Sequence, residues 1–252
     1  MFGFPPDIVF WLTLSIFLGG LAKGVSGVAM PIVTLAIALN FVDGQTGLAL
    51  VILPIVLSNI WQVSGNGSFM QPIKRFWALG VVFLCALYAG SQFVTLVAPW
   101  VLIAMTGASA VIFSGSQLYR PNAKPLSPRA EKIIGPVAGL IAGIMGGMTS
   151  IWGPPIMMFL FMLKLDKDLW VRSVTSIYLL GAVPLAAFYF YNGVLSGSRL
   201  DLSLAACVPA MAGVLIGERS RRYINEVVFR KLLLIAIFIV GLNMLRRALF
   251  GL

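Results

Sequence analysis

The chain has 252 residues, of which 60% are apolar and 10% charged, with a formal net charge of +10. A soluble domain carries roughly 45–50% apolar and 25% charged residues, so an aqueous fold is excluded and a polytopic membrane domain remains. The basic excess is not the footprint of a nucleic-acid binder, because the lysines and arginines fall in short clusters between apolar runs, as they do in loops facing the cytoplasm.

Apolar runs bounded by charge and turn clusters predict five helical segments in the first half, over 7–24, 28–41, 46–64, 76–95 and 99–119. Five more are predicted in the second half, over 133–149, 153–164, 171–191, 201–217 and 228–247. The first run, Ile8 to Leu21, has no basic stretch before it, so no cleavable signal peptide is expected. Cys85 and Cys207 each sit inside an apolar run without metal-ligand spacing and read as small buried hydrophobes. The polar, proline-bearing stretch 120–132 reads as a cytoplasmic linker between a first repeat, about 7–119, and a second, about 133–250.

Those halves share a pattern. Gly20, Gly24 and Gly27 recur as Gly139, Gly143 and Gly146 at an offset of 119, each set followed by a proline, Pro31 and Pro154. Asn66-Gly67 recurs as Asn192-Gly193, Gly115 as Gly241 and Arg120 as Arg246, at an offset of 126. Placing Lys74 and Arg75 in the cytoplasm puts fourteen of the eighteen basic residues there, the exceptions being Lys23, Arg199, Arg246 and Arg247. An odd number of segments per half then inverts the second repeat relative to the first. The expected fold is all-α: a polytopic bundle of two inverted repeats of about five helical segments, each opened by a broken or re-entrant helix.

The breaks are expected in GLAKGVSGVAMP (Gly20 to Pro31) and GLIAGIMGGMTSIWGPP (Gly139 to Pro155), where glycines and prolines interrupt apolar sequence. A symmetric pair of breaks points to a midplane substrate site. The alternative is that the glycines only let helices approach closely. A helix restarting after a break offers free amides and a dipole that favour an anion. Ser26, Gly27, Thr149, Ser150 and Trp152 lie at the two restarts and are candidate substrate contacts. For the hydroxyls the alternative is bonding to carbonyls of their own helices. Lys23, the one charged side chain beside a predicted break, is either a functional group at depth or a residue that snorkels to an interface. Asn59 and Gln62, three residues apart on one helix face, are expected to meet protein or cavity. Arg172 and Thr175 begin the corresponding helix of the second half. Arginine there complements an anion or serves as an orientation signal.

The chain has no histidine, and its eight acidic residues fall in predicted loops or at segment ends. Hydrolytic triads, zinc sites and paired catalytic carboxylates therefore have no residues to build them. No enzyme activity and no cofactor is expected. A membrane-embedded enzyme and a non-transporting scaffold subunit are the rival classes.

The elements LAKGVSGVAMPIV and LIAGIMGGMTSIWGPPIMMF, with the duplicated Asn-Gly helices, resemble the TauE/SafE sulfite exporter family across essentially the whole chain. Lys23 and Trp152 depart from the expected pattern and bear on substrate choice. The resemblance implies a secondary transporter or facilitator for a small organosulfur anion, a sulfonate such as isethionate or sulfite, working by alternating access. It also implies a multi-pass protein of a bacterial inner membrane. The lipid bilayer and the anion are its expected partners, nucleic acid is not, and a homodimer is compatible with its apolar exterior.

Overall fold

The computed structural model describes residues 4–65, 69–118, 126–220 and 226–250, which are helical with no strand among them. The first half holds α1 (Pro6–Ser26), α2 (Met30–Ala38), α3 (Gly44–Gly65), α4 (Met70–Arg75), α5 (Trp77–Phe93) and α6 (Pro99–Leu118). The second holds α7 (Pro128–Thr149), α8 (Gly153–Met162), α9 (Lys167–Tyr191), α10 (Ser198–Ser220) and α11 (Glu226–Phe250). Asn66, Gly67 and Arg120 of the repeat pattern, and Lys124, Arg221 and Arg222 of the basic residues assigned to the cytoplasm, lie outside the described residues.

Every predicted segment has its helix, and the boundaries move for reasons of capping. Helix α7 begins at Pro128, inside the stretch expected to be linker, because the Ser127 hydroxyl accepts from the Ala130 amide at 3.2 Å and a proline follows the cap. Helix α9 begins at Lys167 rather than 171, since the Asp166 carboxylate accepts from the Leu169 amide at 2.8 Å. The short α4 was not expected. It ends at Phe76, where the chain bends directly into α5.

Among the described residues five helices, 21 to 24 residues long and apolar on average, are long enough to cross a bilayer: α1, α3, α7, most of α9, and α10. By contrast α2 and α8 have only 9 and 10 residues, about 14–15 Å at 1.5 Å per residue, half of a hydrocarbon core of about 30 Å. Each turns back on the long helix before it, so α1–α2 and α7–α8 are hairpins, and their open ends are tied to different neighbours. Near the end of the first, Asp43 holds Thr46, and Arg199 reaches Gln45 at 2.7 Å. At the end of the second, the Leu126 amide donates to the Met162 carbonyl, and Glu131 pairs with Arg75 at 3.4 Å.

The long helices pair reciprocally: α1 lies on α10, α7 on α5, and α6 on α11, with α3 and α9 packed together. The closest approaches are made by glycines. A Cβ on Gly20 or Gly24 would stand 2.2–2.3 Å from the carbonyl oxygens of Ala210 and Val214. On Gly143 or Gly147 it would stand 2.5 Å from those of Phe83 and Leu87. These contacts pair Gly20 with Gly143 and Gly24 with Gly147, an offset of 123. The helix ends Ser26 and Thr149, the prolines Pro31 and Pro154, and the carboxylates Asp43 and Asp166 fall on that same offset. The offset of 119 read from the triplets is one helical turn out. Glycines at 139, 143 and 147 repeat every four residues along one packing face, so a slip of a turn leaves the pattern unchanged.

Cys85 is exposed and Cys207 half-buried, against the expectation that both are core residues. They share the outer surface with large apolar side chains such as Trp77, Val208 and Leu96. A face toward lipid is as apolar as a core, so apolarity alone does not separate the two.

Asp43 lies between α2 and α3, outside the spanning segments. Burial opposes its ionisation, but bonds from the Thr46 hydroxyl and the Thr46 and Gln45 amides, with Arg199 nearby, more than offset this and hold its carboxyl below the usual range. A depressed carboxylate contributes stability that is complete above the ordinary carboxylate value and is lost as pH falls through its folded value. Asp43→Asn is expected to lower the thermal midpoint of the purified protein at neutral pH. Its difference from wild type should shrink on titration from about pH 6 to about pH 3; a constant difference would refute the assignment.

Candidate functional site

At the tip of the first hairpin α1 ends at Gly27, which sits at φ 87°, a left-handed conformation that an L-residue adopts at a cost. The Ser26 hydroxyl donates to the Ala22 carbonyl at 2.6 Å and accepts weakly from the Val28 and Ala29 amides at 3.4 and 3.3 Å. The tip of the second hairpin repeats this chemistry. Thr149 donates to the Met145 carbonyl at 2.7 Å and accepts from the Ile151 amide at 3.2 Å, and Ser150 takes the left-handed position at φ 58°. The hydroxyls of Ser26 and Thr149 are thus engaged in stabilising the breaks, as in the alternative weighed for them. Ser150 donates over 3.4 Å to the Tyr189 hydroxyl, which donates to the Gly147 carbonyl at 2.8 Å.

Nothing lies within 4 Å of a Cβ built on Gly27, so Gly27→Ala is charged only for backbone strain, about 1–2 kcal/mol. Ser150→Gly relieves the same strain at the other tip and gives up one long hydrogen bond. Thermal unfolding in detergent should show Gly27→Ala below wild type and Ser150→Gly at or above it. The reverse order would refute the strain argument.

The two tips meet around a closed chamber lined by Lys23, Val28, Pro31, Ile32, Ile55, Phe113, Ser150, Ile151, Trp152, Gly153 and Tyr178. Its free volume is about 10 Å³, at the lower limit for one water molecule. Next to it a larger cavity of about 500 Å³ is lined by Gly24, Ser26, Gly27, Val28, Trp61, Gln62, Ser64, Gly65, Trp170, Val171, Val174, Thr175 and Glu218. It opens where α3 and α10 end and α9 begins, the end of the bundle that carries Lys74, Arg75, Arg172 and Arg219.

Lys23 is 2% exposed. Its Nζ donates to Asn59 Oδ1, its one hydrogen-bond partner among the described residues. Asn59, fully buried, donates on to the Tyr178 carbonyl at 3.4 Å, which links α1, α3 and α9 through one amide. Lys23 therefore does not snorkel; its amine is held in the protein interior beside the tips. Gln62 donates to the Gly27 carbonyl at 3.4 Å. Thr175 lines the open cavity with its hydroxyl bonded to the Val171 and Arg172 carbonyls. Arg172 lines neither the cavity nor the chamber. Thr149, although completely buried, also lines neither.

Three residues of this region escape a reading of glycines, prolines and hydroxyls. Tyr178 stands edge-on to Trp152 with ring centroids 5.8 Å apart, and Phe83 flanks Trp152 at 6.2 Å. Trp152 Nε1 and the Tyr178 hydroxyl are buried without a hydrogen-bond partner among the described residues. The Tyr178 hydroxyl packs over Gly153, where a Cβ would stand 2.3 Å from it. Tyr178 lies three residues after Thr175, a one-face spacing that sequence inspection could have used. Tyr189 had no such signal. Glu218, placed just past a predicted segment, lies in the last turns of α10, lines the open cavity and accepts from Trp61 Nε1 at 3.2 Å.

The arrangement sets the starts of α2 and α8, the buried Lys23 amine and the side chains of Trp152 and Tyr178 around one small chamber. No curated protein and no solved structure matches the chain. A family model described as sulfite exporter TauE/SafE matches residues 12–244. With that match spanning nearly all of a bundle that includes five membrane-length helices among the described residues, the chain belongs to the sulfite exporter TauE/SafE family and is a multi-pass membrane transporter.

Proposed function

We propose that this protein is a secondary transporter or facilitator that moves a small organosulfur anion, a sulfonate such as isethionate or sulfite itself, across a bacterial inner membrane by alternating access. The observation that carries the reading is the meeting of two half-length helices, α2 and α8, at a closed chamber beside the buried Lys23. Helix starts and an interior amine favour an anion, and a chain without histidine offers little to a membrane enzyme. The two halves are inverted repeats in this reading, which the reciprocal pairing of α1 with α10 and α7 with α5 supports.

The open cavity lies at the basic end of the bundle, which is the cytoplasmic end under the positive-inside rule. This conformation is then the inward-open one. Bonds of Arg199 to Gln45 and the Gly193 carbonyl, and of Arg247 to Asn40, close the other end. Substrate reaches the tips from the cytoplasm through a cavity whose polar lining includes Ser26, Gln62 and Thr175. Its passage to the other side requires the hairpins to shift so that the chamber opens outward. Whether the lipid-facing surface also holds a second copy is decided by light scattering of the purified protein.

The deciding experiment is flux in proteoliposomes with radiolabelled sulfite, isethionate and sulfoacetate, with and without proton or sodium gradients. Saturable flux of at least one of them, absent from empty liposomes, is expected. No flux of any of the three under any gradient overturns the substrate class.

A further inference from the structure

The chamber contains a surplus of donors. Lys23 Nζ carries three hydrogens and meets one acceptor, Asn59 Oδ1, among the described residues. Trp152 Nε1 is a donor that accepts nothing, and it is buried and unpaired, as is the Tyr178 hydroxyl. Both residues line the chamber together with Lys23, and the remaining wall is mostly apolar, with Ile32, Ile55, Phe113 and Ile151. Buried polar groups are nearly always satisfied, and each exception calls for an explanation. Three donor-bearing side chains lining one small space, two of them unpaired among the described residues, are explained by a ligand with several acceptor oxygens and negative charge. A chamber of about 10 Å³ holds no such ligand, so the donors wait in a collapsed station between the tips.

We propose that this chamber is the occluded station of the transport site, that Lys23, Trp152 and Tyr178 each bond one oxygen of a three-oxygen headgroup, and that Lys23 exchanges Asn59 for the anion as it enters. The inference rests on the anion-transport reading and goes further, assigning the donors and the basis of selection. Asn59 acts as the stand-in acceptor of the empty state, keeping the buried amine paired while no substrate is present. Because Asn59 also binds the Tyr178 carbonyl, releasing Lys23 loosens the joint between α1, α3 and α9. Ligand entry is thereby coupled to movement of the tips. A sulfonate or sulfite presents three oxygens to three donors. A carboxylate of the same length presents two and leaves one donor unpaired in a dry site, which is the way such sites reject analogues.

The test is calorimetric binding of isethionate and of its carboxylate analogue 3-hydroxypropionate to the purified full-length protein, alongside isethionate flux in liposomes. Wild type should prefer isethionate by tenfold or more. Tyr178→Phe removes only an unpaired hydroxyl and leaves the ring packing intact. It should weaken isethionate about tenfold, with little effect on 3-hydroxypropionate, so that the preference collapses. Trp152→Phe should act in the same direction. Asn59→Leu should lower the thermal midpoint of the empty protein yet tighten isethionate, because the competitor for Lys23 is gone; a purely structural Asn59 would not tighten binding. If wild type binds and carries isethionate while Tyr178→Phe and Trp152→Phe keep its affinity and preference, the chamber assignment is overturned and the transport reading stands. Unchanged or weaker binding by Asn59→Leu overturns the exchange step. A wild type that neither binds nor carries isethionate overturns the inference, and one that also carries neither sulfite nor sulfoacetate overturns the reading beneath it.

Discussion

Lys23→Met is expected to reduce anion flux about thirtyfold or more while the protein still inserts, folds and purifies as wild type. Methionine preserves the length and apolar stem of lysine and removes only the amine. The flux loss follows from the site's electrostatics: among the described residues Lys23 is the one basic side chain lining either the chamber or the cavity. Taking a buried positive charge from an anion's path costs on the order of 2–5 kcal/mol of binding. The retained fold follows from the opposing energies. A buried charge with one hydrogen bond is expensive to keep, so its removal offsets the loss at Asn59, which is left with an unpaired acceptor worth about 1–3 kcal/mol. Lys23→Arg should not restore flux, because a planar guanidinium is larger than the free volume beside the tips and carries its donors in a different geometry. Flux assays in liposomes, with thermal unfolding as the folding control, separate the two effects. Wild-type flux from Lys23→Met would make Lys23 a tether between α1 and α3 and nothing more.

Gly24→Val is expected to have the opposite signature, loss of the folded protein itself. A Cβ at Gly24 would lie 2.3 Å from the Val214 carbonyl oxygen, 2.8 Å from the Glu218 amide nitrogen and 2.9 Å from the Gly217 Cα. All three are backbone atoms, so no side chain can rotate away, and α1 must part from α10 along their shared face. The cost is about 3 kcal/mol or more, the upper range for overpacking, against a total stability of about 5–15 kcal/mol. Low yield, aggregation in detergent and a lowered thermal midpoint are the expected results. Gly65→Ala, where nothing lies within 4 Å, serves as the tolerated control. Equal stability of the two variants would show that α1 and α10 are not held in this contact.

Much of this was legible beforehand because membrane solvent imposes strict local rules. A backbone in hydrocarbon must satisfy its own hydrogen bonds, so apolar runs become helices and breaks fall where glycine and proline cluster. That reasoning placed the ends of α1 and α7 within a few residues. Family membership was legible for the same reason, since the two glycine-proline elements survive as local patterns. Capping was legible in part. Asp166 and Ser127 read as loop polarity, yet each begins a helix, because a cap residue is polar in order to pair a helix's free amides.

The residues that share a wall were not legible. Tyr178 and Trp152 are 26 positions apart in the chain, and only the return of α8 against α9 brings their rings to 5.8 Å. Arg172 and Thr175 begin the same helix, but the turn of α9 puts Thr175 on the cavity and leaves Arg172 off it. The sequence by itself determined that this chain lives in a bilayer, that it has no histidine, and that its helices break where glycine and proline cluster. Tertiary structure decided that Gly20 and Gly24 serve packing while Gly27 serves the break, that Lys23 is paired inside rather than drawn to the interface, and that the donors close on a chamber. The reason is physical: helix formation and membrane partition are set by neighbouring residues, whereas a polar site in a membrane protein is defined by which distant faces turn away from lipid together.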